Sequence, residues 1–314
     1  MSMGRKLRDL LERKKFLITP GITTPLHAML IEKAGFDFVY VGGYDVSLTL
    51  LGLPDVGLIT ETEMLNNARN IVRSVNLPVI ADTDTGYGNA INVIRTVQDF
   101  ESAGLAAIHI EDQAHPKRCG HVAGKVIVPI EEAVGKLKAA LDARKDKDFM
   151  IIARTDAVAA TDGGLDEAVR RGKAFARIGC DVIWAEFPSA DTEYPKRFSQ
   201  EMRREFPDVP LYLNYSANLG WHGSKAKFED FAEMGYRIIH VSLACLRVAI
   251  QATWDYAVDL KARGAQAEID FQKRSMGHPM GAFHRAGFTK IKELEAKYLP
   301  AEEVKKKYDD AIGL

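Results

Sequence analysis

Residues 108–128 read IHIEDQAHPKRCGHVAGKVIV, an apolar strand that ends in two acids and runs on to a cysteine set between basic residues and a Gly-His step. A thiol beside Arg118 and His121 has positive charge at hand to lower its pKa and keep it reactive, which makes Cys119 a candidate catalytic group. A zinc site at Cys119-Gly120-His121 lacks further soft ligands. Cys180 and Cys245 lie in apolar surroundings and read as core filler, and three cysteines in this length build no disulfide framework.

A second constellation is acidic. Asp82 and Asp84 in ADTDTGYG and Glu111 in HIED would bring three carboxylates together. Like charges repel in a low-dielectric site unless a cation is present, and oxygen donors without clustered His or Cys suit a hard ion such as Mg²⁺. The competing reading is an ion-pair network with Arg154, but one arginine cannot neutralise three acids. Arg154, with its bidentate fork, and His121 are then partners for substrate carboxylates. Tyr40 is a candidate base, since a tyrosine beside a cation is acidified.

These residues need elements to hold them. Short apolar, β-rich runs recur at Phe16–Gly21, Phe38–Gly43, Pro78–Asp84, Ala107–Asp112, Met150–Asp156, Val182–Phe187, Leu211–Tyr215 and Arg237–Leu243. Between them lie segments of helical period such as EEAVGKLKAALDARK and LDEAVRRGKAFARIG. Repeated strand-helix units without a composition break predict an α/β chain folded as one (β/α)8 barrel spanning residues 1–314, with a C-terminal helical extension from about residue 263. An open doubly wound sheet is the rival, yet GYGNA lacks the dinucleotide spacing and reads as a turn. The runs turn polar at their C-terminal ends, at Tyr40, Asp82, Asp84, Glu111, Asp112, Arg154, Asp156, Glu186 and Asn214. In a barrel those ends converge on one mouth.

Composition narrows the rest. The 42 basic and 43 acidic residues leave a net charge of −1, so no global field draws nucleic acid or an anionic membrane. No apolar run approaches the roughly 18 residues of a membrane span, and the charged, helical start MSMGRKLRDLLERKKF does not read as a secretory leader, so a cytoplasmic location is expected.

The string KRCGH at Lys117–His121 resembles the signature of the isocitrate lyase/phosphoenolpyruvate mutase superfamily. LGLPD (Leu51–Asp55), ADTDTGYG (Ala81–Gly88), HIEDQ (His109–Gln113) and IIARTDA (Ile151–Ala157) are similar to its other motifs. The resemblance implies that Asp82, Asp84 and Glu111 serve a Mg²⁺ site, with Mn²⁺ as a substitute, and that Asp55 supports it. It implies that Cys119 is the acid of the carbon–carbon lyase branch, on a loop that closes over substrate. Gly43, Tyr44, Gly120, His121, Arg154, Glu186 and Asn214 match substrate-binding positions. It further implies a homotetramer, a dimer of dimers in which the helix after the eighth strand is exchanged between neighbours.

Two departures bear on substrate choice. Gly42 stands where the lyases commonly have serine, and NYSANLGW resembles the Asn-x-Ser-x-Ser stretch of isocitrate lyases more than the methylisocitrate lyase loop, with Asn218 in place of the last serine; Tyr44 matches a tryptophan of isocitrate lyases. Gly42 is expected to open space for a methyl group and Tyr44 to limit it. Asn214, Ser216 and Asn218 offer neutral donors for a second carboxylate. The expected chemistry is a Mg²⁺-dependent retro-aldol cleavage of a 2-hydroxy di- or tricarboxylate, of methylisocitrate, dimethylmalate or isocitrate type. It would give a 2-keto acid, pyruvate or glyoxylate, and a succinate-like acid. The alternatives are an oxaloacetate decarboxylase or hydrolase, a phosphonomutase-type enzyme, and a carboxylate-binding protein without catalysis.

Overall fold

The computed structural model describes residues 1–216, 219–275 and 279–309. Eight parallel strands close into a barrel in sequence order. They are β1 (Leu17–Ile22), β2 (Val39–Val41), β3 (Val79–Asp82), β4 (Ala107–Glu111), β5 (Met150–Thr155), β6 (Val182–Ala185), β7 (Leu211–Asn214) and β8 (Tyr236–Val241). All eight fall on the apolar runs of the sequence. The helices are α1 (Met3–Arg13), α2 (Pro25–Lys33), α3 (Gly43–Val46), α4 (Glu61–Ser74), α5 (Ala90–Ser102), α6 (Ile130–Ala143), α7 (Leu165–Arg177), α8 (Glu193–Glu205), α9 (Phe228–Met234) and α10 (Ala244–Arg263). After them come α11 (Ala265–Ser275), α12 (Pro279–Tyr298) and α13 (Ala301–Tyr308).

Parallel strands must be buried on both faces, and the period of two sorts their residues. Val39, Val41, Val79, Ala81, Ile108, Ile110, Ile151 and Ala153 join the core beneath the helices. Tyr40, Ile80, Ala107, Ile152, Trp184, Tyr212 and Ile238 join the core inside the barrel. Leu7, Leu10 and Leu11 of α1 belong to that inner core and pack against its lower residues, Leu17 and Phe38 among them. Helix ends follow local chemistry: Thr60 and Glu63 form a capping box on α4, and Gly179, at φ 92°, ends α7 in a conformation other residues resist.

Two compact units divide the chain, Met1–Ala249 and Ile250–Leu314. The first holds the barrel. The second begins inside α10, ahead of the residue near 263 at which the sequence pattern sets the extension. Within it Tyr256 stacks at a tilt on Phe271, with ring centroids 4.9 Å apart, and the Tyr308 hydroxyl bonds to Glu295. No helix among the described residues is long and apolar enough to cross a membrane.

Candidate active site

The inward positions that follow the apolar layer carry the chemistry. Asp82 ends β3, Glu111 ends β4, Arg154 lies in β5, Glu186 follows β6 and Asn214 ends β7. The register sets Glu111 beside Arg154. Beneath them lies a fully buried layer of rings from Tyr40, His109, Trp184, Tyr212 and His240. The Tyr40 hydroxyl bonds His109 Nε2 at 2.9 Å, and Trp184 stacks on Tyr212 at 4.5 Å.

Asp82 and Asp84 stand side by side, with company that the sequence pattern left out. Asp82 accepts from the Gly43 amide at 2.9 Å and the Asp84 amide at 2.8 Å. Asp84 sits at φ 47°, a strained conformation of the kind retained where function demands it. Lys117, 3% exposed, reaches Asp55 at 2.6 Å and Asp84 at 2.8 Å. The count of one arginine against three acids therefore needs correcting, because Lys117 is a second buried cation. The only signal for it was its place in KRCGH, where its charge was as readily assigned to solvent.

Burial pushes Asp84 up to about 7 against the pull of Lys117, and pushes Glu111 well up. Burial would also raise Asp82, but His109, Lys117 and Arg154 hold it at about 2. Both carboxyl oxygens of Glu111 lack a hydrogen-bond partner among the described residues, the Arg154 guanidinium standing 3.5 Å from one of them.

These residues fit a hard divalent cation. Asp55, Asp82, Asp84, Glu111, Asp156 and Glu186 face Lys117, Lys125, Arg154 and His121, so acids outnumber cations in the mouth. Among the described residues no three His, Cys, Asp or Glu groups come together as a set that could hold a metal ion by themselves. An ion here would take few protein oxygens, with Asp82 on the cavity wall and Asp84 and Glu111 behind it, and fill its shell from water and substrate, as Mg²⁺ does.

Across the mouth, Cys119 is 9% exposed and its amide donates to Asp55 O at 3.0 Å. His121 Nδ1 lies 3.8 Å from the thiol sulfur, and its Nε2 lies 2.9 Å from Glu186. Burial opposes charge on His121, yet Glu186 and Cys119 raise it to about 10, so it is an imidazolium at neutral pH. Arg118, expected to share that role, is exposed, and its guanidinium donates to Ala123 O at 3.3 Å. The positive charge beside the thiol comes from His121 alone of the two.

Arg154 is clamped by Asp156 through bonds of 2.9 and 3.0 Å, stacks 4.6 Å over Trp184 and approaches Glu186 at 3.8 Å. Asn214 donates to both Glu186 oxygens at 3.1 and 3.2 Å. Gly120 crosses so close that a Cβ there would lie 2.5 Å from Arg154. The Lys125 ammonium, 1% exposed, ties that crossing down by bonding Gly120 O and Asp156. Asp112 works outside the mouth, accepting from Thr155 Oγ1, the Asp156 amide and Arg171.

A small cavity joins these groups, lined by Tyr40, Gly42, Gly43, Tyr44, Asp55, Asp82, Cys119, Gly120, His121, Arg154 and Asn214, and also by Asp45, Trp184, His240, Ser242 and Leu243. Asp84, Glu111 and Glu186 stand behind its wall. Ser216 is fully buried and does not line it, and Asn218 lies outside the described residues. Asp45 was not anticipated. The room expected beside Gly42 is taken by that residue, because a Cβ on Gly42 would lie 2.5 Å from Asp45 Oδ2.

A closed parallel barrel whose mouth gathers buried acids, three buried cations and a thiol-imidazole pair over one cavity has the makings of an active site. Residues 7–261 match the model of the phosphoenolpyruvate phosphomutase family. The chain is 44% identical over 261 residues to a 2,3-dimethylmalate lyase of Eubacterium barkeri, covering 83% of this chain and 87% of that protein. It is 37% identical over 313 residues to an isocitrate lyase of Haloferax volcanii, covering 99% and 90%. A crystal structure of 2,3-dimethylmalate lyase superposes with a TM-score of 0.84 at 32% identity, covering 100% of this chain and 99% of the other. The chain belongs to the phosphoenolpyruvate phosphomutase family, within the phosphoenolpyruvate mutase/isocitrate lyase superfamily.

Proposed function

We propose that this chain is a Mg²⁺-dependent carbon–carbon lyase that cleaves a 2-hydroxy di- or tricarboxylate to a 2-keto acid and a second carboxylic acid, a monocarboxylate from a dicarboxylate substrate and a succinate-like acid from a tricarboxylate. The carrying observation is the Cys119 thiol set 3.8 Å from an imidazolium that Glu186 holds, over an acid-rich mouth. Retro-aldol cleavage needs a base at the substrate hydroxyl, stabilisation of the charge that develops, and a proton for the carbanion left behind. Mg²⁺ held by the acid set Asp82, Asp84 and Glu111 would supply Lewis acidity toward the hydroxyl and carboxylate oxygens of the keto-acid half.

Arg154, clamped by Asp156, presents a fixed donor to the carboxylate charge. Cys119 gives its proton to the carbanion, and His121 stabilises the thiolate that results. Tyr40 is the proposed base. Burial raises its pKa well above that of an ordinary phenol, so this role requires a bound cation to bring it down. His109 Nε2 bonds the Tyr40 hydroxyl at 2.9 Å and orients it, while burial lowers that imidazole to about 4.

Pyruvate-yielding substrates rank slightly ahead of glyoxylate-yielding ones, and the similarity to a 2,3-dimethylmalate lyase supports that order. A cytoplasmic homotetramer is proposed as well, supported by the exposed apolar side chains Ile250, Trp254 and Val258 along α10 and Ile291 and Leu294 along α12. Incubation with isocitrate, 2-methylisocitrate, 2,3-dimethylmalate, oxaloacetate and phosphonopyruvate, read by product mass, tests the reaction. A 2-keto acid with a dicarboxylate from a tricarboxylate, or with a monocarboxylate from 2,3-dimethylmalate, supports it. Carbon dioxide with pyruvate, or oxalate with acetate, from oxaloacetate alone would replace it.

A further inference from the structure

Among the acids of the mouth, Asp45 stands apart. It lies in α3, directly after β2, is 1% exposed, and lines the cavity with Tyr40, Gly42 and Ser242. Most of the other acids pair with a cation: Asp55 and Asp84 share Lys117, Glu111 and Asp156 meet Arg154, Asp156 also meets Lys125, and Glu186 meets His121, while Asp82 pairs with the His109 ring at 3.4 Å. No ion pair to Asp45 forms among the described residues, and its Oδ1 has no hydrogen-bond partner there. A buried polar atom left unmatched destabilises the fold, and such groups persist where a ligand completes them.

Its position says which part of a ligand. A Cβ on Gly42 would lie 2.5 Å from Asp45 Oδ2, and a Cβ on Gly21 would lie 3.4 Å from the same oxygen. The carboxyl thus stands where a side chain of residue 42 would begin, next to Gly43, whose amide holds Asp82. Burial, reinforced by Asp82 and Asp55, pushes Asp45 up to about 8. Near neutral pH its carboxyl carries a proton and can donate one hydrogen bond, as a hydroxyl does.

We propose that Asp45 is a substrate-contacting residue that sets the keto-acid subsite, donating a hydrogen bond to the carboxylate of the 2-keto acid half from the place a residue-42 side chain would otherwise occupy. The identity of that ligand rests on the lyase reading above. Glycine at 42 and aspartate at 45 are then one coupled choice, since the carboxyl fits only where residue 42 has no Cβ.

The test is binding rather than turnover, using oxalate and pyruvate as probes with Mg²⁺ in titration calorimetry, alongside thermal melting. Asp45→Ala should weaken both probes roughly 10- to 100-fold, the value of a hydrogen bond to a charged group, while the melting temperature holds or rises. Asp45→Asn, whose amide also donates, should stay within several-fold of the parent. Gly42→Ser/Asp45→Ala, which returns a hydroxyl to position 42 without the clash, should bind more tightly than Asp45→Ala. Parent-like affinity in Asp45→Ala, an Asp45→Asn variant as weak as Asp45→Ala, or a double variant no better than Asp45→Ala overturns the proposal. These outcomes leave the lyase reading standing if the parent still cleaves a substrate of the panel. A parent that binds neither probe and cleaves nothing removes both.

Discussion

Replacing Glu186 by glutamine tests whether the imidazolium beside Cys119 is made by that carboxylate. At 2.9 Å and an effective dielectric constant of about 20, the ion pair is worth roughly 6 kcal/mol. That is about four powers of ten in the protonation equilibrium of His121, enough to overcome burial and account for a rise from 6.5 to about 10. Glutamine keeps the shape and the reach to Asn214 but removes the charge, so burial then dominates and His121 should titrate below 6.5. Nitrogen-15 NMR of the imidazole reads this directly: protonated to beyond pH 9 in the parent, neutral at pH 7.5 in Glu186→Gln. The sign for stability follows from linkage. A folded-state pKa above the unfolded one gives stabilisation that is complete below about 6.5 and is lost as pH rises through about 10. The parent should lose stability over that alkaline window and the variant should not. An imidazole that titrates alike in both proteins would refute the reasoning, whatever happened to activity.

Four further outcomes are expected. Cys119→Ser should fold normally and lose about 10²-fold or more in kcat, because a hydroxyl is a far weaker acid than a thiol; a near-normal kcat removes Cys119 from the mechanism. Asp84→Ala should abolish turnover, and chelation should inactivate the parent reversibly, with full activity of metal-stripped protein as the contrary result. Asp156→Ala leaves the Arg154 and Lys125 charges buried without their partner and should cost about 3–5 kcal/mol in denaturant unfolding; a loss under 1 kcal/mol would mean that the cluster relaxes freely. Light scattering at micromolar concentration should give a tetramer, and a monodisperse monomer would contradict the proposed assembly.

The strands were legible because their signal is local. A run such as MIIARTD shows its apolar length and its polar end within seven residues, and the barrel register follows once eight such runs repeat. The acids of β3 and β4 were legible for the same reason, since strand ends point to one mouth. What a loop does with its charges was not. Lys117, Arg118 and His121 are near neighbours in sequence, yet the first goes to the acids, the second to the surface and the third to the thiol. That sorting depends on the path of the loop over Asp55 O and under the Lys125 tie. Asp45 was hidden for another reason. Its partner in space is the missing Cβ of Gly42, and a sequence reports an absent side chain as spare room rather than as a place already filled.

The helix α1 seats Leu7, Leu10 and Leu11 in the inner core at one end of the barrel, while the ring layer from Tyr40 to His240 bars passage from below. The barrel is consequently a vessel with a single opening, and traffic through it is last in, first out. Under the proposed chemistry the fragment that receives the Cys119 proton lies beneath the loop, nearer that opening than the fragment gripped by the acids. It must leave before its companion can. Product inhibition should therefore be ordered: the 2-keto acid binds the free enzyme alone, and the succinate-like acid binds only where the keto acid is already in place.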